Sequence, residues 1–281
     1  MTTADNASPG IGSAPVLETE QPPARMRLAM ADYFTLGNAL CGFMAVWQLA
    51  AAQSAHLSAG VHDSLQRGAI ATAVVLLLLA SAFDLFDGRV ARKFGGSGMG
   101  AELDNLADVI SFGFAPAFFV VAWGTLTGAG SLAPVVAAGA VLLAVVVRLA
   151  RFSRQASECD YFTGLPSPFG AMAVITVVLL DPPVYVGVAA ILAVAWLMVS
   201  RLEYPKPRGR LAFAVLAWIL GSVGCLTAWA VDAPAGNALL YSGSGLVVVL
   251  LLTIPVYVLA TRRHASGRRD EDVAVPAARE R

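Results

Sequence analysis

Four aspartates fall within one short stretch of this 281-residue chain. Asp84-Leu-Phe-Asp87 closes one apolar run, and Asp104-Asn-Leu-Ala-Asp108 opens the next. If each pair lies on a helix, the i,i+3 and i,i+4 spacings put both members of a pair on one face, about 5–6 Å apart at Cβ. Gly95, Gly96, Gly98 and Gly100 lie between the pairs and supply a turn, because glycine accepts positive φ freely. A helical hairpin then brings the carboxylates together. Four hard oxygen donors converging make a site for Mg²⁺ or Mn²⁺. Two ions a few ångström apart are the expected complement, a recurrent device for phosphoryl chemistry.

Gly88 and Ala91 follow Asp84 by four and seven residues, on the same face. Their small side chains leave a groove beside the carboxylates where a large ligand can approach the backbone. Arg92 adds a fixed cation suited to phosphate oxygens. Metals, groove and arginine together point to a diphosphate ligand.

The elements that hold these residues are apolar runs. The chain is 57% hydrophobic and 14% charged, with a net charge of zero. The charged share lies well below the roughly 25% of soluble domains, so the expected class is an all-α, polytopic membrane protein. Eight spans are expected near 33–53, 67–93, 103–125, 131–152, 167–181, 184–201, 211–231 and 238–261. Asp181-Pro182-Pro183 divides the fifth from the sixth. Residues 1–24, rich in Pro, Ser, Ala, Thr and Glu, read as a disordered cytoplasmic tail and not as a signal peptide. Residues 262–281 form a second charged cytoplasmic tail. Cys41, Cys159 and Cys225 show no paired spacing and read as small apolar residues.

Eight spans with a cytoplasmic N-terminus leave only Arg67 outside among 19 lysines and arginines. That is a positive-inside pattern, and it puts the aspartates at the cytoplasmic face. In the first span Thr35, Asn38 and Gly42 share one face, as helix packing through small and polar residues would also require. After the fourth span Arg148, Arg151 and Arg154 recur every third residue. They read either as a topology anchor or as an anion site for a molecule carrying a carboxylate.

The conjunction D-x-x-D-G-x-x-A-R with G-x-x-x-D-x-x-x-D resembles the signature of the CDP-alcohol phosphotransferase family. Asp84, Asp87, Gly88, Ala91, Arg92, Gly100, Asp104 and Asp108 match its eight positions, with seven residues between Arg92 and Gly100. R-L-A-R-F-S-R, Y-F-T-G-L-P-S-P and L-M-V-S-R-L-E-Y-P-K-P look like the phosphatidylserine synthase branch. The resemblance covers about residues 30–210 and implies a six-helix catalytic core at 25–210, with two accessory spans at 211–261. It implies transfer of a phosphatidyl group from CDP-diacylglycerol to L-serine, releasing CMP. It further implies Asp84, Asp87 and Asp104 as principal metal ligands, with Asp108 a fourth ligand at the edge of the site and also the base. Thr35, Asn38, Gly88, Ala91, Arg92 and Gly100 are then expected to bind CDP-diacylglycerol. Arg151 first, and Arg148 second, are expected to bind serine. A homodimer is implied, and nucleic acid is not an expected partner. Where the family usually opens its first span with Pro-Asn, Ala31-Asp32 stands here, and Asp32 suits a helix cap. Glycerol 3-phosphate or an inositol phosphate remain alternative acceptors, because the aspartates do not choose the alcohol. Divalent-cation transport shares the carboxylates, but transporter sites favour broken helices near the bilayer midplane, whereas these carboxylates sit at one face beside Arg92.

Overall fold

A computed structural model describes residues 27–59, 67–126, 132–153, 161–201, 203–205 and 210–249. The two expected tails, Arg154, Cys159 and residues 250–261 of the eighth expected span lie outside the described residues.

The apolar runs fold as α1 (Met30–Ala59), α2 (Arg67–Phe94), α3 (Gly100–Asp108), a π turn (Val109–Phe114), α4 (Ala115–Leu126) and α5 (Ala133–Phe152). After these come β1 (Tyr161–Thr163), α6 (Ser167–Leu179), α7 (Val184–Val199), β2 (Glu203–Pro205), α8 (Arg210–Ala230) and α9 (Gly236–Val249). Among the described residues, four stretches are long and apolar enough to cross a membrane: Met30–Ala55, Gly68–Phe94, Gly100–Thr125 and Ala133–Phe152. The protein is a polytopic helical membrane protein. α6 and α7 have 13 and 16 residues, about 20 and 24 Å at 1.5 Å per residue. They turn back on each other at Asp181, which takes a left-handed φ of 44° before Pro182 and Pro183.

α1 packs along α2, and the α3–π–α4 column packs against α1. α5 packs on α4 and α7, while α8 leans on α2. Alanines such as Ala45, Ala73, Ala80, Ala115 and Ala137 are fully buried. Small residues let helix backbones approach where lipid supplies no hydrophobic drive for association. On α1 several large apolar side chains point outward: Leu40, Phe43 and Trp47 are more than half exposed, at 60%, 59% and 53%. That is the surface a helix presents to acyl chains.

Two features depart from the expected helices. The third expected span is interrupted by the π turn, closed by a bond from the Ala115 N–H to the Ile110 carbonyl. The turn lies against α1, where Ser111 Oγ donates to the Asn38 carbonyl at 2.8 Å. Such turns frequently mark functional sites. Second, β1 and β2 pair antiparallel, with Phe162 opposite Tyr204. The ribbon ties the start of α6 to the end of α7, and the Leu165 N–H donates to the Leu197 carbonyl at 3.2 Å.

Gly42 is the closest approach of α1 to the π turn. A Cβ there would meet Ser111 Cα at 2.7 Å, whereas a Cβ on Gly139 meets nothing within 4 Å. Gly42→Ala is therefore expected to lower the melting temperature in detergent, at an overpacking cost of about 1–3 kcal/mol. Gly139→Ala should leave it unchanged. Equal melting temperatures for both variants would contradict this packing.

Candidate active site

α2 runs unbroken past Asp84 and Asp87. It stops at Gly95, whose φ of 85° is left-handed and whose N–H bonds the Ala91 carbonyl at 3.0 Å. This is the single-bond helix stop for which glycine is suited. A short turn leads into Gly100, where α3 starts. The Asp32 carboxylate fits against that start, 3.5 Å from where a Gly100 Cβ would lie. Asp32 Oδ2 also accepts the Ala29 N–H at 2.7 Å. Asp32 thus caps α1 from its third residue, reaching back as the acidic arm of a capping box does. It also puts negative charge at the positive end of α3.

The hairpin brings three of the four aspartates into one cluster. One carboxylate oxygen each from Asp84, Asp104 and Asp108 lies within 4.8 Å of the others. Asp87, expected among the principal ligands, stands beside this trio. Its Oδ2 accepts from Thr35 Oγ1 at 2.9 Å, while its charge still acts on Asp84 and Asp104. Asp108, expected at the edge, is a member of the cluster. The face of α1 explains the exchange. Thr35 reaches Asp87, and Asn38 Nδ2 donates to Asp108 Oδ1 at 3.3 Å. Thr35 and Asn38 were expected to touch CDP-diacylglycerol; here their side chains orient carboxylates.

The donor set fits a hard divalent cation. All three groups offer carboxylate oxygen, and Asp104 Oδ1 is buried with no hydrogen-bond partner. Asn38 Oδ1, also buried, has none either. Unpartnered buried oxygens are costly unless a ligand or ion completes them.

Around the cluster, Gly88 borders open space: a Cβ there would meet only Arg92 Nη1, at 3.5 Å. Gly88 and Ala91 are half-buried and Arg92 is exposed. The two described arginines of the stripe divide. Arg151 is exposed and donates through Nη1 to the Val199 carbonyl at 2.6 Å, securing the end of α7. Arg148 is half-buried, and its charge acts on Asp108 and Asp84. Its Nη1 donates to Ser167 Oγ at 2.6 Å. Geometry thus sets the two apart: the Arg148 charge acts on the carboxylates, and Arg151 serves a helix end. Ser111 and Ser167 carried no role in the sequence reading. Their only signal was a hydroxyl inside an otherwise apolar or proline-flanked segment.

A family model for CDP-alcohol phosphatidyltransferases matches residues 28–202. The chain belongs to that family and is a membrane-embedded transferase. It is 30% identical over 174 residues to the CDP-diacylglycerol–serine O-phosphatidyltransferase of Bacillus subtilis, covering 61% of this chain and 86% of that protein. It is 36% identical over 146 residues to the archaetidylserine synthase of Methanothermobacter thermautotrophicus, covering 50% and 61% of the two chains. With the CDP-diacylglycerol–serine O-phosphatidyltransferase of Methanocaldococcus jannaschii it shares 28% over 194 residues, 69% of this chain and 82% of that protein.

Like charges this close destabilise an ion-free protein. In EDTA, Asp104→Asn is expected to raise the melting temperature by about 2 °C or more, and the stabilisation gained on adding Mg²⁺ should shrink. A lower melting temperature in EDTA would mean that the Asp104 charge is already compensated within the protein.

Proposed function

We propose that the protein transfers a phosphatidyl group from CDP-diacylglycerol to the hydroxyl of L-serine, giving phosphatidylserine and CMP. The observation that carries this reading is the trio of carboxylates beside a half-buried arginine at one end of a membrane bundle. The activities for which two of the relatives are named support serine as the acceptor.

In this reading the acyl chains lie in the bilayer beside the exposed apolar faces, and the cytidine lies along Gly88 and Ala91. Arg92 binds diphosphate oxygens. Gly100, opposite Asp32, lets the α3 turn approach the ligand. Mg²⁺ or Mn²⁺ held by Asp84, Asp104 and Asp108, with Asp87 in support, would supply positive charge for the diphosphate and the leaving phosphate. We assign two ions to the working site. The serine oxygen forms a bond to the phosphorus that carries diacylglycerol, and the bond from that phosphorus to the CMP oxygen breaks. Asp108 takes the hydroxyl proton as base. Asn38 keeps the Asp108 carboxylate turned into the site.

Arg148 is assigned the serine carboxylate and Arg151 a supporting role. The hydroxyl and the carboxylate of serine are separated by only two carbons. One molecule therefore spans Asp108 and Arg148, whose charges already interact. The cluster of cations at this end supports a cytoplasmic site: Arg89, Arg92, Lys93 and Arg151 are exposed here. We place the catalytic core at 25–210, with the last two spans accessory, and we take a homodimer as the working unit on family resemblance.

The test is CMP release by purified protein in detergent with CDP-diacylglycerol and a panel of acceptors. L-Serine should support turnover, glycerol 3-phosphate and inositol phosphate should not, and EDTA should abolish the activity. Arg148→Lys, which loses the planar fork, should raise the Michaelis constant for serine about tenfold, or 1.4 kcal/mol. Arg151→Lys should change it far less. Turnover with glycerol 3-phosphate in place of serine would overturn the acceptor, and undiminished turnover in EDTA would overturn the metal.

A further inference from the structure

Arg148 does not float in its pocket. Its Nη1 is tied to Ser167 Oγ, and Ser167 is wholly buried. Its Nε is buried as well, yet has no hydrogen-bond partner. A guanidinium offers donors along separate edges, and the edge made by Nε–H with the adjoining Nη2–H grips a carboxylate in a fork. Ser167 occupies the opposite side. A buried arginine with one edge satisfied and Nε left free is poised to receive an anion on that free edge.

Ser167 owes its position to tertiary structure. It opens α6 directly after Pro166. Upstream, Gly164 holds a left-handed φ of 79°, and a Cβ there would run into the Met198 carbonyl at the end of α7. The Leu165 N–H is bonded to the Leu197 carbonyl. The ribbon and the end of α7 therefore set where the Ser167 hydroxyl lies, and the hydroxyl sets how Arg148 is turned.

We infer that Ser167 is a positioning residue for acceptor recognition: by holding Nη1 of Arg148 it turns the free Nε edge toward the acceptor carboxylate. This rests on the serine-transfer reading above. Without the hydroxyl, the guanidinium rotates among several orientations, and the carboxylate must pay to select one. Ser167 bonds Arg148 and none of the residues assigned to the diphosphate, so the loss falls on acceptor binding.

The experiment measures steady-state CMP release by the full chain and by Ser167→Ala and Ser167→Thr, with the melting temperature of each. Ser167→Ala is expected to raise the Michaelis constant for L-serine about tenfold, 1.4 kcal/mol. The constant for CDP-diacylglycerol should stay within about twofold, and kcat near that of the unaltered protein. Ser167→Thr, which keeps the hydroxyl, should recover most of the serine affinity. If the threonine variant melts early because its methyl finds no room, the split between the two constants in the alanine variant decides alone. Both constants rising together, or kcat falling with both unchanged, would assign Ser167 to packing and overturn the inference. An alanine variant indistinguishable from the unaltered protein on serine would overturn it while leaving the serine reading intact. No CMP release with serine by the unaltered protein would remove both.

Discussion

Three carboxylates crowded into one small volume of an apolar bundle are the constraint that the rest of the structure answers. Each would be hydrated and independent in water; together in low dielectric they repel and lack partners. The protein meets part of that cost with its own groups. Thr35 serves Asp87, Asn38 serves Asp108, and the Arg148 charge offsets Asp108 and Asp84. Asp104 Oδ1 finds no partner among the described residues, and the trio has the geometry to hold a cation.

The helices are arranged to hold that arrangement still. α1 acts through a single face: Thr35 and Asn38 reach the carboxylate helices, and Gly42 lets the π turn come close enough for Ser111 to bond the Asn38 carbonyl. Asn38 is consequently fixed from both its main chain and its side chain. On the other side, the ribbon and the ends of α5, α6 and α7 gather Arg148, Ser167 and Arg151 at the same end of the bundle. The far end is closed by different means. Trp123 Nε1 donates to Asp181 at 2.7 Å, which locks α4 to the α6–α7 turn.

The helices were legible because apolar runs of spanning length, punctuated by Gly and Asp-Pro-Pro, leave few alternatives in a membrane. The clustering of carboxylates was legible because i,i+3 and i,i+4 spacing determines which carboxylates share a face whatever else the fold does. Which three of the four expected carboxylates draw closest together was not legible. It depends on which carboxylate meets Thr35 and which meets Asn38, contacts 52 and 70 residues apart in sequence. What Arg148 and Arg151 each meet was not legible either: three-residue spacing keeps them on one face of α5, and only the start of α6 and the end of α7 decide that Arg148 meets Ser167 and Arg151 the Val199 carbonyl. The π turn and the strands leave no readable periodic trace, because six and three residues hold too few repeats of any pattern to stand out. Asp32 was recognised as a cap, but its contact with the start of α3 required the fold.

The claim on which the account stands is that the crowded carboxylates are a cation site. Anomalous diffraction at the manganese edge, from crystals soaked in Mn²⁺, tests it most directly. The account predicts a peak within about 2.5 Å of oxygens from Asp84, Asp104 and Asp108. Manganese bound elsewhere, with those three carboxylates unliganded at saturating Mn²⁺, would contradict it.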